Sequence, residues 1–163
     1  MESLKVVILY EDFATGLRAK SILDRMMNRL DTETECHNDW CRLDMLRQAV
    51  FRMEIMRKVA EVDILVASAH GDSKPFAELE RWLEEWVHRR ANRAGALVLS
   101  LDAGAKDTDP GRRTLLRFRV IAAKTGLVLF SHFEDPPIPG SGVATGEPYP
   151  GNNEIAALEL RSQ

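Results

Sequence analysis

Short apolar runs alternate with longer amphipathic stretches along most of the chain. The runs at 4–10, 62–67, 96–101 and 127–130 are apolar at nearly every position. Such runs are typical of strands that are buried on both faces of a parallel sheet. A weaker alternating run at 32–36 predicts an edge strand, placed second in chain order.

The first stretch between strands predicts an amphipathic helix that begins at Thr15 or Gly16. Ile22/Leu23, Met26/Met27 and Leu30 recur at helical spacing and form the apolar face. The opposite, polar face is expected to carry five charged residues: Arg18, Lys20, Asp24, Arg25 and Arg29.

Three further helices are predicted, over 42–60, from Phe76 to about Arg90, and over 112–124. In the 42–60 helix, the apolar face is expected to point inward and carries Leu43, Leu46, Val50, Met53 and Met56/Val59. In the 112–124 helix two inward faces fit the spacing. These are Leu115, Phe118 and Ala122, or Leu116, Val120 and Ala123.

Strands therefore alternate with helices through residue 134, which predicts an α/β domain with helices on both faces of a parallel sheet. A weak second strand belongs at an edge, which favours the order 2-1-3-4-5 in a three-layer, doubly wound, flavodoxin-like fold. Residues 135–163 hold five of the seven prolines and four of the ten glycines. They predict an extended tail in which 155–160 could dock as a short helix or strand.

Charge, cysteine content and hydropathy argue against several classes of partner and cellular location. The chain has 22 Lys+Arg against 25 Asp+Glu, a net charge of −3, which argues against binding nucleic acid or an anionic membrane through bulk charge. Two cysteines are too few for a secreted disulfide framework, and the N-terminal apolar run is too short for a signal peptide. No run reaches the roughly 18 apolar residues of a membrane span. A cytoplasmic protein is expected.

Polar residues gather where the predicted strands end, which in such sheets is the ligand-binding edge. The candidate crevice residues are Glu11, Asp12, Thr15, Gly16, Ser68, His70, Gly71, Asp72, Ser100, Asp102, Ser131 and His132. Thr15, Gly16, Ser68, His70, Asp72 and Ser100 are the candidates for holding a cofactor. Glu11 and Asp12 carry the hard carboxylate oxygens that suit Mg²⁺. Loop ends are polar in any α/β protein, so a merely solvated cluster is the competing interpretation.

The segment from Tyr10 to Thr15, followed by a helix, resembles the first loop of response-regulator receiver domains. That family holds Mg²⁺ with an acidic pair after strand 1, which here matches Glu11 and Asp12. The resemblance implies a phosphoacceptor aspartate at position 68 and a Ser/Thr at position 100. It also implies a lysine near 131–132. Ser100 fits this pattern, but Ser68 does not, and the lysine is missing.

These departures have a chemical consequence. An aspartyl phosphate needs a carboxylate nucleophile, which the serine at position 68 cannot supply. The resemblance therefore implies a degenerate receiver-like module that signals through a protein partner or by dimerising, without phosphotransfer.

The alternative is a small-ligand enzyme or binding protein that uses the same crevice for FMN, a nucleotide or Mg²⁺. The segment 62–72 is similar to the third strand and loop of flavodoxins, and Thr15-Gly16 is similar to their phosphate loop. FMN is disfavoured because Glu11 and Asp12 would repel its phosphate and no Trp or Tyr lies in 68–75. Ser68 also lacks the Gly-x-Ser-x-Gly elbow of a nucleophilic serine.

Two other groupings have structural explanations. Cys36, His37 and Cys41 offer soft ligands of the kind that bind zinc, but the spacing is uncommon, and two reduced cysteines at a strand-to-helix corner are expected. Arginines cluster at 81–93 and 112–119 beside glutamates, which favours ion-paired helix faces over a phosphate or nucleic-acid patch. Trp82 and Trp86 are expected to be packing residues.

Overall fold

A computed structural model describes residues 3–30, 33–71, 75–89 and 94–137. Five parallel strands form one sheet in the order β2-β1-β3-β4-β5, so the predicted order is confirmed. The strands are β1 Ser3–Tyr10, β2 Glu35–Arg42, β3 Ile64–Ser68, β4 Ala96–Leu101 and β5 Val128–Phe133.

Helices cover both faces of the sheet, as predicted. They are α1 Phe13–Met27, α2 Ala49–Val59, α3 Pro75–Arg89 and α4 Asp109–Thr125, with 3₁₀ helices at Leu43–Arg47 and Ala103–Asp107. Helix α1 packs on one face, while α2, α3 and α4 share the core of the other. Among the described residues no helix is both long and apolar enough to cross a membrane. The predicted tail segment at 155–160 lies outside the described residues.

The central strand β1 explains why the buried runs are apolar at consecutive positions. Val6 and Ile8 point to the α1 side, and Val7 and Leu9 point to the side of the other helices. Side chains of a strand alternate between faces, so a strand covered by helices on both sides needs apolar residues throughout.

The prediction for the second strand was wrong in its bounds. The strand runs over Glu35–Arg42, so the stretch from Cys36 to Cys41 is the strand itself and not a corner after it. Five steps along the strand separate the two cysteines by about 16 Å, and the odd number of steps places them on opposite faces. They cannot share one zinc ion, and both are free thiols.

The predicted 42–60 helix is two elements, and the inward orientation of Val50 and Met53 was wrong. The chain is extended at Gln48, between the 3₁₀ helix and α2. The helical periodicity is interrupted there, so α2 turns a different set of side chains towards the core. Val50 and Met53 are 77% and 70% exposed. The other predicted residues of that face are buried: Leu43, Leu46, Met56 and Val59.

Two element ends also differ from prediction. Helix α4 begins at Asp109, because the Thr108 hydroxyl accepts from Gly111 N and Pro110 suits the first turn. Of the two inward faces left open for α4, the structure buries Phe118 and Ala122. Strand β5 runs on to Phe133, so Ser131 and His132 lie within the strand and not after it.

Candidate functional site

His70 lies between two carboxylates at the carboxyl edge of the sheet. Its Nδ1 is 2.7 Å from Asp102 Oδ2, and its Nε2 is 2.7 Å from Asp12 Oδ2. Its backbone N–H donates to Glu11 Oε2 at 2.7 Å. His70 follows β3, and its hydrogen bonds connect it to Glu11 and Asp12 after β1 and to Asp102 after β4.

The contacts of the ring decide its protonation state. Ionised carboxylates only accept hydrogen bonds, so both ring nitrogens must carry protons for both contacts to form. Partial burial by itself favours the neutral imidazole, but the bonds to Asp102 and Asp12 outweigh it and raise the pKa of His70 above 6.5. Partial burial opposes the charge on Asp12, yet hydrogen bonds from Thr15 and His70 lower the pKa of Asp12. The crevice thus holds an imidazolium with its own counter-charges.

Asp12 is also the N-cap of α1, which corrects the predicted helix start. Its Oδ1 accepts from Thr15 N at 2.9 Å, and the Thr15 hydroxyl accepts from Asp12 N at 2.9 Å. This reciprocal capping box begins the helix at Phe13 and holds the Asp12 side chain in place for His70. Gly16 N donates to Asp12 O at 2.9 Å, so this N–H is used within the helix start.

Arg18 lies under the crevice, although it was expected on the polar face of α1. It is 1% exposed, and its Nη1 is 2.6 Å from Asp102 Oδ1. The guanidinium also donates to three backbone carbonyls: Ala69 O at 2.7 Å, Glu134 O at 3.0 Å and Ser100 O at 3.1 Å. Arg18 and His70 thus place two positive charges on the two oxygens of Asp102.

Ser68 and Ser100 are fully buried within their strands. The Ser68 hydroxyl donates to Thr15 O at 2.8 Å and accepts from Arg18 Nε at 3.4 Å. The Ser100 hydroxyl has no hydrogen-bond partner in the described part of the chain. Neither hydroxyl opens into the crevice, because both residues are 0% exposed.

The structure therefore assembles most of the predicted crevice, though with different roles. It joins Glu11, Asp12, Thr15 and His70, and it places Ser68 and Ser100 beneath them. Asp72 lies outside the described residues. Gly71 is packed tightly, since a Cβ at this position would be 2.4 Å from Ala105 Cβ.

The residue that the sequence analysis missed is Arg18. A helical spacing signal was available, because Arg18 is three residues after Thr15 and four before Ile22, both of which are buried. Asp102 was among the crevice candidates, but its bond to His70 depends on the pairing of β3 with β4, which spacing does not reveal. Within β5, partial burial lowers the pKa of His132, with Glu134 and Arg25 as its nearest charges.

No group of three or more His, Cys, Asp or Glu side chains in the described ranges is arranged to hold a metal ion. Glu11 and Asp12 remain the hard-oxygen ligands that Mg²⁺ would require. Both are engaged by His70, through its backbone N–H and its ring. A cation at this pair would have to compete with the imidazolium.

The two tryptophans of α3 match their structural interpretation. Trp82 and Trp86 are buried and stack with their ring centroids 6.2 Å apart. Of the outer arginines, Arg117 of α4 bridges to Glu80 at 3.2 Å and Glu84 at 3.7 Å on α3. Arg117 is therefore ion-paired, as predicted for this cluster, whereas Arg81 forms no ion pair with the described residues.

Comparison with known proteins identifies no family. No family model matches the chain, and no curated protein matches it. Among solved structures, the chain is similar to a thermophilic tryptophan halogenase from Streptomycin violaceusniger, with 11% identity over 95% of this chain and 98% of that one. The TM-score of 0.43 is too low to carry an argument about function.

Proposed function

We propose that the protein is a receiver-like module that acts through protein contacts and performs no phosphotransfer. The observation that carries the proposal is the bonding of His70 to Asp12 and Asp102 at 2.7 Å each. An imidazolium here supplies the positive charge that a bound Mg²⁺ would otherwise bring to an acidic crevice. The crevice is thereby charge-compensated without a metal.

The chemistry of the strand ends supports the same proposal. Ser68 stands where the receiver resemblance implies a phosphoacceptor aspartate, and its hydroxyl is buried against Thr15 O. A serine has no carboxyl group and cannot form an acyl phosphate, and the burial of this hydroxyl also keeps it from a phosphoryl donor. Ser131 and His132 stand where the resemblance implies a lysine, so the usual reporter of phosphorylation is missing.

A protein partner is supported by apolar side chains outside the crevice. Val128 and Phe130 are exposed on β5, which is an edge strand. Edge strands present unpaired backbone groups to which another chain can bind.

The phosphotransfer half of the proposal is tested with acetyl phosphate and Mg²⁺, followed by intact-mass measurement. We expect no phosphoryl adduct on the wild type, and a stable aspartyl phosphate would contradict the proposal.

The charge argument is tested by thermal shift with Mg²⁺. His70→Ala removes the internal cation, so Mg²⁺ should raise the melting temperature of H70A and not that of the wild type. In H70A/D12A the response should disappear. An equal Mg²⁺ response in wild type and H70A would contradict the charge argument.

The protein-contact half is tested with a photo-crosslinking amino acid at position 130 of the full chain. We expect one defined cross-linked product, formed either with a second copy of this chain or with another protein. The same crosslinker at Arg119, which is exposed on α4, serves as the matched control. Identical products from the two positions, or no product from position 130, would contradict the proposed contact.

A second candidate function, small-ligand binding or catalysis in the same crevice, is favoured by one observation. The His70 side chain is 29% exposed, so a ligand in the crevice could compete with Asp12 for the Nε2 proton of the imidazolium. A nucleotide or FMN that stabilises the wild type but not H70Q would support this candidate. Equal melting temperatures with and without these ligands would remove it.

A further inference from the structure

A second concave site lies away from the crevice, between the start of α2 and the middle of α3. We call it the arginine cavity; it has a volume of about 340 Å³. It is lined by Leu46, Arg47, Arg52, Arg81, Trp82 and Glu85. Three guanidinium groups and one carboxylate give the lining a net charge of two positive. An excess of positive charge in a concave site attracts anions.

Two of these arginines reach the cavity from different helices. Arg52 belongs to α2 and Arg81 to α3, and neither forms an ion pair within the described ranges of the chain. Arg117 on α4 differs, because it pairs with Glu80. Glu85 is the one carboxylate among the lining residues, and it can balance at most one guanidinium charge.

Trp82, one of the lining residues of the arginine cavity, carries a buried hydrogen-bond donor. Trp82 is 2% exposed, and its indole Nε1–H has no hydrogen-bond partner among the described residues. The other two indoles are satisfied, since Trp40 donates to Asn38 Oδ1 at 3.2 Å and Trp86 to Val59 O at 3.1 Å. A buried donor left unpaired is unfavourable, and native structures rarely keep one without a reason.

We propose that the arginine cavity binds the phosphate group of a small molecule. Guanidinium groups bind phosphate through charge-assisted, often bidentate hydrogen bonds, and an indole N–H can donate to a further phosphate oxygen. The cavity volume is at the lower end of ligand pockets, which leaves room for a phosphate with a small organic group.

The test uses ¹⁵N-labelled full-length protein and inorganic phosphate at constant ionic strength. The three tryptophans give three indole N–H signals, which W82F and W40F assign. Phosphate should shift the Trp82 signal saturably and leave the Trp40 signal in place. R52Q and R81Q should each weaken binding about tenfold, since each removes a charge-assisted contact. R119Q, on the outer surface of α4, should bind phosphate as the wild type does.

Several outcomes would overturn the proposal. These are the absence of a saturable Trp82 shift, the same shift with sodium chloride alone, or unchanged binding in R52Q/R81Q. A second arm compares ribose 5-phosphate and glycerol 3-phosphate with ribose and glycerol. Only the phosphorylated compounds should move the Trp82 signal. An equal response to ribose or glycerol would mean that the cavity does not recognise phosphate.

Discussion

Ser68 and Ser100 are register partners on β3 and β4, and both are fully buried, yet only the Ser68 hydroxyl has a hydrogen-bond partner among the described residues. The Ser68 hydroxyl bonds to Thr15 O, whereas the Ser100 hydroxyl has no partner in the described part of the structure. The two serines are therefore a matched pair in which only the hydrogen bond differs.

Alanine substitutions at the two serines should have unequal effects on stability. Ser68→Ala should lower the free energy of unfolding by about 1–2 kcal/mol, because it removes a buried hydrogen bond. Ser100→Ala should change it by less than about 0.5 kcal/mol or raise it, because a buried hydroxyl without a partner is unfavourable. Urea unfolding of both variants measures the difference, and equal losses would contradict the assignment of the two hydroxyls.

Replacing Arg18 with Met should be strongly destabilising. The substitution leaves Asp102 Oδ1 and the Ala69 carbonyl without the guanidinium donor, and the Ser100 carbonyl with only its bond from Ala69 N, at a cost of about 3–5 kcal/mol. Denaturant unfolding gives the value. The matched control is Arg25→Met on the same helix, where the ion pair with Glu134 is exposed and should contribute at most about 1 kcal/mol. Similar losses in the two variants would argue against a structural role for the buried guanidinium.

The stability conferred by His70 should depend on pH. Because the folded-state pKa of His70 is raised, its contribution is complete below about 6.5 and is lost as the pH rises through the folded value. The folded-state pKa of Asp12 is lowered, so its contribution is present above 3.8 and is lost as the pH falls through the folded value. The stability difference between wild type and H70Q should therefore be largest between about pH 4 and 6.5 and shrink at higher pH.

Histidine NMR titration checks the same prediction directly. His70 should titrate at higher pH than His132, whose pKa is lowered by partial burial. Asp102→Asn and Asp12→Asn should each move the His70 midpoint to lower pH. A stability difference for H70Q that is flat with pH, or unchanged midpoints in both Asn variants, would contradict the ion-pair arrangement.

The two cysteines should differ in reactivity towards a thiol reagent. Burial raises the pKa of Cys41 to about 12, while Cys36 is only partly buried and its pKa is raised by that burial. Thiolates are the reactive form, so Cys36 should be modified first and Cys41 only when the protein unfolds. Modification rates of C36S and C41S with a coloured disulfide reagent measure this, and faster labelling of Cys41 would contradict its position in the core.

The sequence was sufficient for the sheet because a strand buried on both faces leaves a continuous apolar run, as β1 and β4 do. It was less informative for β2, whose polar edge positions weaken the signal, and for α2, where an extended Gln48 resets the helix. Arg18 shows what sequence periodicity alone cannot predict. Whether an arginine on a helix is solvated or buried depends on carbonyls contributed by distant strands, which local periodicity does not contain.

The buried guanidinium of Arg18 has a consequence for the order of assembly. Its acceptors come from residues as far away as Glu134, 116 positions later in the chain. Closing contacts over such distances costs chain entropy before any bond repays it, which slows folding. During synthesis, α1 therefore emerges with a charge that cannot be neutralised until β4 and the end of β5 follow. The crevice takes its final form only in a chain whose β5 has joined the sheet.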